Sequence, residues 1–313
     1  MSSTSRFLND GGGDAPKMKV YLNVDTLADL SANSVWPGAE GAARYRKLFE
    51  DGFEGVQLTS DEAVPAYMPF AYCGLDRINH PHEADSVAAK HAARGDLCIT
   101  VHAGWGMEDD EEAFRIVEAI LTASQRYSLP IFIETHRATI TQDIWRTVQL
   151  AKRFPEMRLN GDFSHYYCGQ ELVYGNWEEK LYFLEPVFSR VGFLHGRIAS
   201  PGSMQVPIDS NLRARPLEAY GIINYLDHFK ELWTRAMAGF LRGAQPGDVL
   251  VFAPELLAST HYYARKYPDA SGRLKEETDR YAQALLYRDL ARACFAEAQV
   301  DKAAHRAAKR MKH

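Results

Sequence analysis

Short apolar runs with β character, alternating with amphipathic stretches of helical period, constrain this chain more than any other feature. The runs are 19–25 (KVYLNVD), 53–58 (FEGVQL), 97–104 (LCITVHAG), 129–135 (LPIFIET), 157–164 (MRLNGDFS), 191–197 (VGFLHGR) and 248–255 (DVLVFAPE). Helical patterns lie between several of them. Residues 41–52 carry Ala43, Tyr45, Leu48 and Phe49 at helical spacing with Gly52 at the stop position; 110–127 carry Phe114, Val117, Ile120 and Leu121 on one face; 142–153 carry Ile144, Val148 and Ala151. Thr139 and Gln142 predict a capping box at the start of the last one. Apolar strands separated by helices predict a parallel sheet covered by helices, either open and doubly wound or closed into a barrel.

The position of the polar residues favours the barrel. Nearly every run ends, at its C-terminal side, in residues able to bind a metal or move a proton. In a (β/α)8 barrel each strand delivers such a residue into a common mouth, whereas in an open sheet only the strands at the switch point do so. The expectation is a (β/α)8 TIM barrel over residues 17–270, preceded by a flexible Ser/Gly/Asp-rich leader at 1–16. A C-terminal helical extension follows over 271–313, with a long helix at 275–300 and a basic tail. The spacing has one irregularity: Glu134 to Asp162 and Asp162 to His195 are about one βα unit each, but His195 to Glu255 is about two. Within that gap 203–210 is a weak strand and 217–243 reads as helix, so a seventh strand is expected to be short, degenerate or absent.

Composition narrows the function classes. A chain of 313 residues, 46% hydrophobic and 25% charged with mixed signs, is an ordinary globular protein with one large domain. Its net charge of −5 builds no basic field for a polyphosphate backbone, which argues against nucleic acid. No apolar run approaches the roughly 18 residues that span a bilayer. The four cysteines, Cys73, Cys98, Cys168 and Cys294, stand far apart without a CxxC spacing, and no signal-peptide layout opens the chain. The expected compartment is the reducing cytoplasm.

The strand-end groups are His102, Glu134 and His136, Asp162 and His165, His195 and Arg197, and Glu255. Three carboxylates converging on one mouth require a compensating cation, because each desolvated charge costs several kcal/mol and like charges repel. One divalent metal resolves this, and a Glu, Asp, His, Glu set suits Mn²⁺, Mg²⁺, Co²⁺ or Zn²⁺. Strand parity places Glu134 with His136 and His195 with Arg197 on the inner face, and turns Arg137 away. Taken singly, each group has a plainer reading. An acid at a strand end often caps a helix, His102, His136 and His165 could be packed histidines, and Trp105 and Trp177 could be core or rim residues rather than a platform for a sugar face. Cys168 reads as a small buried residue.

These residues in this order resemble the xylose isomerase-like TIM-barrel superfamily, also labelled sugar phosphate isomerase/epimerase, from about residue 18 to 260. DGFEGVQL is similar to its second-strand signature, IET to the fourth-strand Glu, DFSH to the fifth-strand Asp-x-x-His, HGR to the sixth-strand His-x-Arg, and PE to the last-strand Glu. The chain departs from the sugar epimerase pattern in placing Arg197 two residues after His195 and in carrying ASPGSMQVPIDS at 199–210. The resemblance implies one divalent metal on Glu134, Asp162, His195 and Glu255, with His165 and Arg197 on substrate and the two glutamates moving protons. His102, His136 and Trp105 are further candidates for binding substrate.

The expected reaction is isomerisation or epimerisation of a sugar or keto-sugar, by proton abstraction next to a carbonyl and through an enediolate. Loss of a β-oxygen from the same intermediate would make the enzyme a dehydratase or lyase on a keto-sugar or glycoside. Phosphodiester hydrolysis, as in the superfamily's abasic-site endonucleases, is disfavoured by the acidic balance, and a non-catalytic sugar-binding barrel is the remaining alternative. The expected partner is a small carbohydrate, in a homo-oligomer with or without a second subunit.

Overall fold

In the computed structural model, residues 7–62, 64, 70–208 and 225–310 are described, with side chains as far as residue 300. Eight parallel strands run in order around the sheet: β1 (Lys17–Asn23), β2 (Gly55–Leu58), β3 (Ala71–Ile78), β4 (Ile99–Ala103), β5 (Ile131–Glu134), β6 (Arg158–Asn160), β7 (Val191–Gly196) and β8 (Asp248–Pro254). The sheet closes because β8 pairs with β7, Phe193 opposite Val251, and also with β1, Lys17 opposite Val249.

The two-residue period of a strand sorts its side chains into two apolar layers. Val20, Leu22, Ile133, Leu194 and Phe252 point outward and join helix residues such as Ile116, Val148, Trp233 and Tyr287 in the larger core. Their neighbours Tyr21, Phe132, Phe193 and Val251 point inward and fill the barrel together with Cys73, Cys98 and Val249. Gly55 is required beside this plug, since a Cβ there would stand 2.7 Å from the Tyr21 ring.

The helices form where the period predicts them. α1 (Gly41–Glu50) precedes β2, and α2 (Ala84–Arg94) follows β3. α3 (Asp110–Tyr127) is capped by Asp109, whose carboxylate accepts from the Glu112 amide, and buries Ala113, Ile116, Val117 and Ile120. The expected capping box of Thr139 and Gln142 does not form. α4 (Ile144–Arg153) is capped by Asp143, which accepts from the Arg146 amide, while the Thr139 hydroxyl turns to the His136 carbonyl. α5 (Ser164–Gly169) follows β6, α6 (Trp177–Phe183) and α7 (Glu185–Phe188) precede β7, and α8 (Tyr225–Gly243) precedes β8.

Four expectations are corrected. The leader is anchored from residue 7: Phe7 is buried edge-on against Phe240 at 5.0 Å in the outer core, and Leu8–Asn9 pairs antiparallel with β8, with Leu8 packed into the barrel plug. Residues 1–6 lie outside the described residues. The eighth strand comes not from the gap before Glu255 but from Ala71–Ile78, so Glu134 ends the fifth strand, Asp162 follows the sixth, His195 lies on the seventh and Glu255 follows the eighth. Among the described residues of that gap there is one isolated bridge, Ser200 to Ser203, and no barrel strand; 209–224 lie outside them. The long C-terminal helix, α9 (Arg280–Arg310), begins later than expected, since Lys266–Pro268 and Leu274–Glu276 form a hairpin across residue 270, the expected boundary. It packs on α8, β1 and β8 and buries Tyr281, Tyr287, Leu290 and Cys294. Among the described residues no helix is long and apolar enough to cross a membrane.

Candidate metal centre

Two residues further up each strand the inward positions change character. Phe132 gives way to Glu134, Phe193 to His195, Tyr21 to Asn23 and Gly55 to Gln57, all of these buried. Glu134, Asp162, His195 and Glu255 each offer a ligand atom, and the four atoms lie within 4.8 Å of one another. Glu134, Asp162 and His195 are fully enclosed and Glu255 is 6% exposed.

Three amides that sequence reasoning did not single out hold this set in place. Asn23 Nδ2 donates to Gln57 Oε1 at 2.9 Å and to Glu255 Oε1 at 3.0 Å. Gln57 Nε2 donates to the Thr100 hydroxyl at 2.8 Å, and Gln57 Oε1 accepts from His195 Nε2 at 2.9 Å. That bond fixes the imidazole with Nδ1 toward the acids, 3.4 Å from both Glu134 Oε2 and Glu255 Oε2. Asn160 Nδ2 donates to Glu134 Oε2 at 3.1 Å. The signal for these amides was their position at strand ends, on the same inward parity as the acids.

Arg197, expected as a substrate contact, is buried, and its Nη2 pairs with both Asp162 and Glu255. Its Nε donates to Ser164 Oγ at 3.2 Å, and the Tyr263 ring stands 4.5 Å from its Cζ. Three carboxylates against one guanidinium leave two negative charges when His195 is neutral, which is the charge a divalent cation balances. The residues fit such an ion in a second respect. Among the described residues Glu134 Oε1, Arg197 Nη1, Asn160 Oδ1 and both ring nitrogens of His165 are buried without a hydrogen-bond partner, a concentration that native interiors avoid unless an ion or ligand satisfies it.

The electrostatics respond to the crowding. Burial alone would raise the Glu134 carboxyl, but His102 and His195 hold it well below the usual carboxylate range. Burial likewise opposes the charge on Asp162, and Arg197 with His165 holds its pKa down. For His195, burial disfavours the imidazolium, yet Glu255 and Glu134 lift its pKa to about 9.

A line of imidazoles flanks Glu134. His102 Nε2 lies 3.4 Å from Glu134 Oε2, the His102 and His136 rings are 4.2 Å apart, and His136 and His165 are 3.8 Å apart. His165, expected at a strand end, sits instead on α5, with Nε2 3.5 Å from Asp162 Oδ2. Burial and the neighbouring His165 push His136 down to about 2, so it is neutral.

Trp105 is half-exposed, with the Arg77 guanidinium 3.6 Å over its ring. Trp177 is packed, stacked on His228 at 4.0 Å. Cys168 is half-buried, its Sγ 3.6 Å from the Pro201 carbonyl, and all four cysteines are free thiols. Arg137 is exposed with its Cζ 5.6 Å from the ring of Tyr263, the residue that also contacts Arg197. Arg137 was expected to face away from the metal site and it is exposed, but a turn rather than strand parity directs it, since β5 ends at Glu134.

No protein-family model matches the chain, and no curated protein matches its sequence. Solved structures are similar to it. A probable 3-DHS dehydratase, AsbF, from Bacillus anthracis is 15% identical over 76% of this chain and 92% of its own, with a TM-score of 0.48. Protein SMc04130 from Sinorhizobium meliloti 1021 is 13% identical over 87% and 98%, with a TM-score of 0.49. A xylose isomerase-like TIM barrel protein from Mycobacterium smegmatis, in complex with magnesium, is 14% identical over 95% and 99%, with a TM-score of 0.46. The closed eight-stranded parallel sheet with its surrounding helices makes this chain a (β/α)8 TIM barrel, and its structural neighbours include xylose isomerase-like TIM-barrel proteins.

Proposed function

We propose that the protein is a divalent-metal-dependent isomerase acting on a small sugar or keto-sugar. One observation carries this reading: four buried ligand atoms from four barrel strands and their ends converge within 4.8 Å, with two uncompensated negative charges. Glu134, Asp162, His195 through Nδ1, and Glu255 would hold one ion. Three carboxylates favour Mg²⁺ or Mn²⁺ and the imidazole favours softer ions, so Mn²⁺ suits the mixture best. When bound, the ion would polarise a substrate carbonyl and make the adjacent C–H acidic.

The protein's own groups supply the rest. Both oxygens of Glu255 are engaged, by Asn23 and Arg197, and both of Asp162, by Ser164 and Arg197. Glu134 Oε1 alone among these carboxylate oxygens lacks a hydrogen-bond partner, which makes Glu134 the base. Arg197 Nη1 is free to donate to a substrate oxygen, and the neutral His136 and His165 line the same wall. With one free carboxylate oxygen, the proton taken by Glu134 returns from Glu134 to the neighbouring carbon. That outcome is isomerisation, whereas two-base epimerisation would need Glu255 to leave its partners.

Incubation of the Mn²⁺-loaded protein with aldoses deuterated at the carbon next to the carbonyl is expected to carry the label to the former carbonyl carbon of the ketose or to release it to solvent. Glu134→Gln is expected to abolish this and remain folded. Turnover of the labelled aldose without transfer or loss of its deuterium would refute the proposal, and a product lacking water or a β-substituent would make the enzyme a dehydratase or lyase.

A further inference from the structure

We propose that the groove beside the barrel mouth is a second subsite, in which Arg137 holds the anionic end of the substrate, a carboxylate or a phosphate. The inference rests on the reading above for the end of the substrate that reacts. The groove has a volume of about 450 Å³ and is lined by Arg137, Ser203, Ser259, Tyr263, Arg265 and Lys266, among others, with no Asp or Glu among the described residues of its wall. In a chain whose net charge is −5, a groove whose described lining carries three cations and no acid is a local reversal of sign. Arg265 is neutralised by Glu277, but Arg137 and Lys266 have no ion pair among the described residues.

The loop presents Arg137 in a fixed position. Thr139 Oγ donates to the His136 carbonyl at 2.6 Å, Thr141 Oγ to the Glu134 carbonyl at 2.5 Å, and Gln142 Nε2 to the Gly106 carbonyl at 3.1 Å. Ala138, next to Arg137, is held at φ +57°, a left-handed conformation that costs a non-glycine residue roughly 1 kcal/mol or more and persists only where its surroundings enforce it.

One ring links the groove to the reacting centre. The Tyr263 ring stands 4.5 Å from the Cζ of the buried Arg197 and 5.6 Å from the Cζ of the exposed Arg137. A short polyol chain passing the edge of Tyr263 would have its carbonyl end at Glu134 and Arg197 and its charged end at Arg137. A guanidinium fork suits either oxyanion.

Calorimetric titration of the Mn²⁺-loaded protein with D-fructose, D-fructose 6-phosphate and D-fructuronate tests this and separates the two anions. At least one anionic sugar is expected to bind about 10- to 100-fold tighter than fructose, the range for hydrogen bonds to a charged group. Arg137→Gln should erase that advantage, Arg137→Lys should restore part of it, and Mn²⁺ affinity should be unchanged in both. Anionic and neutral sugars that bind alike or not at all, or an advantage that survives in Arg137→Gln, would overturn the proposal. Failure of the isomerase reading would register separately, as missing Mn²⁺ binding or as deuterium retained in place during turnover of the labelled aldose by the unmodified protein.

Discussion

The lower and upper halves of the barrel interior are built on the same inward positions of the same strands, and they do opposite things. Below, Tyr21, Phe132 and Phe193 form a dry plug with Cys73, Cys98, Val249 and Val251. Above, one two-residue step along each strand, Asn23, Glu134 and His195 form a crowded polar ring with Gln57, Asn160 and Thr100. The plug lowers the free energy of the fold; the ring raises it, by gathering three carboxylates with buried atoms left unpaired. The fold can hold a charged, underbonded site because the layer beneath it is closed and well packed.

Mutations should separate the two halves. The largest stability effect is expected from Phe132→Ala, which removes a fully buried ring from the plug and should cost about 3–5 kcal/mol in denaturant unfolding. Its metal affinity in the folded state should be preserved. Gln57→Ala should behave in the opposite way. Losing the acceptor for His195 Nε2 frees the imidazole to turn, and metal affinity should fall about 10- to 100-fold, with a stability loss of about 1–3 kcal/mol from the buried groups left unpaired, smaller than that of Phe132→Ala. A Phe132→Ala protein that lost metal affinity, or a Gln57→Ala protein that kept it, would show that the halves are not independent in this way.

The pH dependence should act on the ring alone, and its sign differs between the metal-free and metal-bound forms. His195 is raised from an ordinary 6.5 to about 9. In the metal-free protein its contribution to stability is fully present below about 6.5 and is lost as pH rises through about 9. Metal binding needs the neutral ring, so affinity should rise by about tenfold per pH unit up to that pKa and then level off. Calorimetry across pH 6 to 10 would read both trends.

Much of the site could be read in the sequence because charge is conspicuous at the end of an apolar run. Glu134, Asp162, His195 and Glu255 each follow such a run, and the structure brings all four together. Asn23, Gln57 and Asn160 escaped notice because neutral amides at strand ends look like ordinary turn residues. β3 was missed for a different reason. Its sequence, AYCGLDRI, mixes Asp76 and Arg77 with small residues, and it is a strand because each charge finds partners on its own side of the sheet. Asp76 Oδ2 pairs with Lys90 and with His91 Nε2 on α2, and Arg77 Nε donates to Asn79 Oδ1. Periodicity also cannot say where a strand stops. Arg137 was assigned by parity, but β5 ends three residues before it and a threonine-pinned turn carries it to the rim.

The most direct test of the contrast between plug and ring is calorimetric titration of the metal-free protein with Mn²⁺ at pH 7.5 in buffers of different ionisation enthalpy. The account predicts saturation at one ion per chain, release of about one proton as His195 takes its metal-binding form, and loss of that binding in Glu134→Gln. Absence of saturable binding, or binding unchanged in Glu134→Gln, would contradict it.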